Sequence, residues 1–135
     1  MLGIDHVAYA VGDLDDAAVR FRDEFGLDSI EGGRHERWGT ANRIVPLGDQ
    51  YLELVAAVDP STAAGSGFGR GVLEHAEGGG GWFTIAVVTD DLDAVASRLG
   101  WRSLPGRGGG RTARPSAGGW PGSTTRGASP GCRSS

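Results

Sequence analysis

The feature that most constrains this chain is an internal repeat. A shift of 78 positions sets Gly3 on Gly81, Ala8 on Ala86, Asp13-Leu14-Asp15 on Asp91-Leu92-Asp93, Ala18 on Ala96 and Arg20 on Arg98. These are 7 identities in the 20 gapless pairs from Gly3/Gly81 to Arg22/Gly100. Each copy reads as a strand, an aspartate cap and a helix with an apolar stripe. A repeated supersecondary unit governs the fold of the chain that contains it.

The first copy is the longer. Gly3–Val11 is a strand by its apolar content, and Asp13 caps the helix that follows. Leu14, Ala17, Ala18, Phe21 and Phe25 form its apolar stripe, and Gly26 stands where a left-handed C-terminal residue is wanted. Strands are then predicted around Asp28–Glu31, over Ala41–Leu47 and over Tyr51–Val58, the last two joined by a turn at Gly48-Asp49. The module is β-α-β-β-β. Residues 59–67 read as a loop, Phe68–Glu77 as a short helix, and Gly78 to Gly81 as a flexible joint. The second copy runs as a strand over Trp82–Thr89, a cap at Asp91 and a helix ended by Gly100.

Charge divides the chain at the same place. Residues 1–100 hold all 17 acids and 7 arginines, a net of -10, while 101–135 hold 6 arginines and no acid. A net of -10 argues against a nucleic-acid partner for the first part. The segment from 101 lacks Val, Ile, Phe, Tyr and Met. Gly, Pro, Ser and Arg dominate it, so it is expected to be a disordered tail without strands. Such a composition suits an out-of-frame reading of a GC-rich gene, with the break near Leu99–Arg107. A two-base shift through permitted codons yields a turn and an alternating strand instead. The organisation expected is therefore a domain over 1–100 (module one 1–58, linker 59–81, partial module two 82–100) followed by the tail. No apolar run approaches the ~20 residues of a membrane span. The N-terminus has no basic flank of a secretory signal, which makes the cytoplasm the default. The lone Cys132 excludes an internal disulfide framework.

Two residues carry chemistry by type and place. His6 shares a strand face with Ile4 and Ala8, and a neutral imidazole is a common ligand for zinc, iron or nickel. Glu53 sits mid-strand among apolar neighbours, where an acid is costly unless paired or metal-bound. The two either hold a metal or form a hydrogen-bonded core pair. His35 is an alternative ligand or acid-base group, or an exposed loop histidine. Within Gly32–Arg43, the glycines permit turns, Trp38 offers an apolar wall, Thr40 and Asn42 offer polar contacts, and Arg43 offers a partner for a carboxylate or phosphate. The bland alternative is a strand-turn-strand with Trp38 in the core. His75 is expected on a solvated helix face.

Ile4-Asp5-His6-Val7, Asp13-Leu14-Asp15, GGRHERWGTANRIVPLGD (Gly32–Asp49) and Tyr51-Leu52-Glu53-Leu54 together resemble the glyoxalase-like branch of the vicinal-oxygen-chelate superfamily. The resemblance covers residues 3–99. It implies an α+β fold of paired β-α-β-β-β modules, here with the second incomplete, curved into a cup. It implies a small organic ligand in that cup, with or without a divalent metal (Zn, Fe, Ni or Mn), and a homodimer as one form of assembly. In such proteins the first-strand His and fourth-strand Glu of a module are metal ligands, the places of His6 and Glu53. His6, Glu53 and His35 would act in proton transfer; Trp38, Thr40, Asn42, Arg43 and Thr84 would contact the ligand. Thr84 stands where the repeat puts the counterpart of His6 and is a poor metal ligand. Lyase, isomerase and dioxygenase activities all occur on this scaffold, as do metal-free drug-sequestering proteins, and a non-functional fragment is the third reading.

Overall fold

The structure is a computed structural model that describes residues 2–105, 111–115 and 126–127, with backbone alone from 102 on. The chain divides into two compact units, His6–Ile85 and Met1–Asp5 with Ala86–Ser135.

The first unit is built on the expected β-α-β-β-β module. Strand β1 (Leu2–Ala10) enters it and leads to helix α1 (Leu14–Phe25). Asp13 caps α1 by accepting from the Asp16 amide at 2.8 Å, and Gly26 closes it in the left-handed region. Strands β2 (Ile30–His35), β3 (Thr40–Leu47) and β4 (Gln50–Ala57) follow, with a 3-10 turn at Glu36–Trp38 between β2 and β3. The strand order is β2-β3-β4-β1-β5, where β5 is Gly81–Thr89. β4 runs antiparallel to β3 and parallel to β1, a pairing that needs the α1 crossover.

Period-2 alternation divides the side chains between two faces of this sheet. Tyr9, Val11, Val45, Leu52, Leu54 and Ala56 pack on Ala17 and Phe21 of α1. Ala8, Ala10 and Val55 take the other face, against Val72 and Phe83. Val72 lies on helix α3 (Gly67–Glu77), so this helix covers part of that second face. The expected loop over 59–67 is corrected in part: Pro60–Ala64 forms a short helix, α2. Asp59 caps it through the Thr62 amide at 3.1 Å, and Pro60 fits the first turn, where its missing N–H costs nothing. Expected on a solvated face, His75 instead packs on Phe83 with ring centroids 5.1 Å apart and contacts the Gly71 carbonyl.

In the second unit, Asp91 caps helix α4 (Leu92–Arg98) through the Ala94 amide at 3.0 Å, repeating the device of Asp13. Leu92 and Ala96 pack with Trp101. The expected absence of strands after residue 100 is corrected. Trp101–Pro105 (β6) pairs antiparallel with Arg111–Pro115 (β7), and Arg126–Gly127 (β8) pairs in parallel with the end of β5. Backbone pairing needs no apolar side chain, so composition did not forbid it. Cys132 lies outside the described residues.

Candidate active site

The face of the sheet shared with Ala8 and Val55 carries a line of polar groups across four strands. His6 stands on β1, Glu53 on β4, Thr40 and Asn42 on β3, and His35 on β2. Register brings them together: Ala8 pairs with Glu53, His6 with Tyr51, Glu53 with Ile44, and His35 with Thr40.

His6 Nε2 lies 3.4 Å from Glu53 Oε2, and the two side chains are 13% and 10% exposed. The His6 ring stacks on Tyr51. Asn42 Nδ2 donates to Glu53 Oε1 at 2.5 Å, and Asn42 Oδ1 accepts from the Gly33 amide at 2.7 Å. Burial is the largest single influence on the Glu53 carboxyl and pushes its pKa up. Hydrogen bonds from His6 and Asn42, with the attraction of His6 and His35 in their protonated forms, together outweigh it and hold the group below its ordinary 4.5. Glu53 is thus a nearly buried carboxylate with both oxygens engaged.

His35 ends the line. Its Nδ1 lies 3.2 Å from Thr40 Oγ1, and its ring stands edge-on to Trp38 with centroids 5.4 Å apart. Trp38 in turn rests on Phe68, centroids 4.9 Å apart, which gives this end an aromatic wall. Thr40 is fully buried, so its hydroxyl serves His35.

One residue expected to contact a ligand stands elsewhere. Arg43 follows Asn42 in β3 and takes the α1 face of the sheet. There its Nε donates to Ser29 Oγ at 2.9 Å, its Nη2 donates to the Ser29 carbonyl at 3.1 Å, and Asp15 lies 3.8 Å from Nη1. Thr84 alternates with Phe83, which joins the Ala8 and Val55 cluster, and shares its side of β5 with Trp82, which packs on Tyr9. Tyr51 and Phe68 were not anticipated in the site. Alternation from Glu53 identifies Tyr51 as a neighbour on the same face; nothing local marks Phe68.

The donor set for a metal is partial. His6 and Glu53 contact one another, and among the described residues no group of three His, Cys, Asp or Glu side chains is placed to hold a cation. Protein metal centres of this ligand type usually supply three or four donors. The described residues therefore do not fit a self-contained metal site.

The glyoxalase-like domain family matches residues 4–125. The chain belongs to this family. The match runs 25 residues beyond the boundary expected at 100. No curated protein sequence matches. Among solved structures, this glyoxalase-like domain is similar to a methylmalonyl-CoA epimerase in complex with methylmalonyl-CoA and NH4+. Identity is 27% and the TM-score 0.60, over 84% of this chain and 83% of that one. It is also similar to methylmalonyl-CoA epimerase from Mycobacterium tuberculosis, at 26% identity and a TM-score of 0.57, over 82% and 76% of the two chains. A hypothetical protein from Staphylococcus aureus shares the fold at 19% identity and a TM-score of 0.61, over 88% of this chain and 55% of that one. The fold is α+β of the glyoxalase type. No helix among the described residues is long and apolar enough to cross a membrane.

Proposed function

We propose that this glyoxalase-like domain binds a small acyl compound of the thioester class and moves a proton at the carbon beside its carbonyl, an isomerase-type reaction. The observation that carries the reading is the His6–Glu53 contact: a carboxylate held charged at 10% exposure against an imidazole. A carboxyl held below its ordinary pKa is a weak base at neutral pH, so Glu53 is the lesser proton acceptor of the pair. Its work is to orient the imidazole and stabilise the imidazolium that forms when His6 takes the proton. Return of the proton from His6 to the same face gives exchange alone; delivery of a proton to the opposite face of the planar intermediate, from a second acid or solvent, completes the isomerisation. The two similar epimerases support this choice over lyase or dioxygenase chemistry. Trp38 and Phe68 would exclude water at one end of the site.

The test is hydrogen exchange. The protein is incubated with methylmalonyl-CoA in D2O, and loss of the α-proton is followed by NMR. Exchange that is lost in His6→Ala and reduced at least tenfold in Glu53→Gln is the expected result. Binding of the thioester without exchange would replace the enzyme reading by that of a binding protein. Neither binding nor exchange would overturn both.

A further inference from the structure

Asn42 is placed on the site face, yet both ends of its amide are committed inside the protein. The reason lies in β2. Pairing of β2 with β3 slips between Glu31 and Arg34, so the strand carries an irregularity at Gly32-Gly33. Neither glycine has a positive φ, so backbone freedom does not require glycine here. Space does. A Cβ on Gly32 would lie 2.0 Å from Asn42 Oδ1, 2.9 Å from the Asn42 carbonyl oxygen and 3.0 Å from Asn42 Cγ. The side chain of Asn42 fills the volume that any other residue at 32 would claim.

We propose that Asn42 is a positioning residue for Glu53, and that the Gly32-Gly33 segment is the seat that fixes it. The Gly33 N–H donates to Oδ1 and so decides which way round the amide lies, since the flipped amide would set two donors against each other. The remaining end, Nδ2, then points at Glu53 Oε1, a charge-assisted contact. With Oε1 held there, Oε2 is held toward His6. Three directional contacts thus run from a backbone amide on β2 to the imidazole on β1. Asn42 acts through Glu53 and not by touching a ligand. What Glu53 is positioned for rests on the proton-transfer reading above; the positioning itself does not.

The test needs no ligand, so it and the exchange assay can fail separately. Wild type, Asn42→Asp, Gly32→Ala and the double variant Gly32→Ala with Asn42→Gly are compared by 13C and 15N NMR at one fixed pH. In wild type, the Asn42 side-chain amide protons are expected to exchange slowly with water, and one to resonate downfield. Asn42→Asp keeps the shape and the acceptor for Gly33 but sets an acceptor against Glu53. It is expected to shift the Glu53 carboxyl carbon and abolish the nuclear Overhauser contact between Glu53 and the His6 ring. Gly32→Ala should cost the slow amide exchange. The double variant removes the side-chain clash and leaves only the 2.9 Å approach to the residue-42 carbonyl oxygen, so it should fold better than Gly32→Ala and still show the displaced Glu53. An unmoved Glu53 carboxyl in folded Asn42→Asp and in the double variant would overturn the proposal and leave Asn42 a packing residue.

Discussion

His6 lies flat against Tyr51, with ring centroids 4.6 Å apart and planes 12° from parallel. Register makes them direct neighbours on the parallel pair β1 and β4. The stack limits the rotation of the imidazole that Glu53 orients. Tyr51→Leu is expected to remove the upfield ring-current shift of the His6 protons and to cost about 1 kcal/mol beyond the lost area. Tyr51→Phe keeps the ring and should keep the shift. A one-dimensional proton spectrum and a urea titration of each variant check this.

Glu53 should make stability depend on acid pH. Its carboxyl titrates lower in the folded protein than its ordinary 4.5. The stabilisation from the ionised form is therefore fully present above about 4.5 and lost as pH falls through the folded value. Glu53→Gln removes it. The variant is expected to be less stable than wild type by about 1–3 kcal/mol at pH 7, the usual cost of losing a charged partner to buried hydrogen bonds. The gap should narrow below pH 4.5 and not above it. Urea unfolding at a series of pH values reads the difference directly.

Gly69 lets α3 approach the turn that carries Trp38. A Cβ there would lie 2.2 Å from the Trp38 carbonyl oxygen and 2.7 Å from Ala63 Cα, both backbone atoms. Gly69→Ala is expected to destabilise by about 2–4 kcal/mol, in the range of overpacking that forces backbone to move. Gly71→Ala meets only the Phe83 ring at 3.0 Å and should cost about 1 kcal/mol or less. Thermal unfolding of the two variants ranks them.

Arg43 separates the two faces of the sheet experimentally. Its hydrogen bonds run to Ser29, which ties the entry of β2 to β3. Arg43→Ala is expected to lose about 1–2 kcal/mol of stability and to bind methylmalonyl-CoA as wild type does. A tenfold weaker affinity with unchanged stability would return Arg43 to the ligand side.

Residues 101–135, with six arginines and no acid, are expected on composition to follow a break in reading frame. Resequencing codons 95–135 checks this. An unbroken frame would make the β6–β7 pairing the native start of the second module's sheet.

Local devices were readable from the sequence. Asp13, Asp91 and Gly26 work within a few residues of where they stand, so their roles follow from spacing alone. The His6 and Glu53 strands and their inward faces were readable for the same reason, since alternation is local. Arg43 was grouped with Asn42 by residue type, whereas its guanidinium is engaged with Ser29 at the entry of β2. The seat at Gly32 and the contact of His75 with Phe83 join residues distant in the chain, and no local pattern records such contacts. Asp59-Pro60 was read into the loop over 59–67, though the pair is a helix start.

The seat has a consequence for descent. Gly32 and Asn42 occupy one volume, so they form a single heritable character. A lineage that gains a side chain at 32 must give up the asparagine, and one that loses the asparagine leaves only the 2.9 Å approach to the residue-42 carbonyl oxygen against such a side chain. Paired loss at these two sites would mark the relatives in which the carboxylate has been freed for other work.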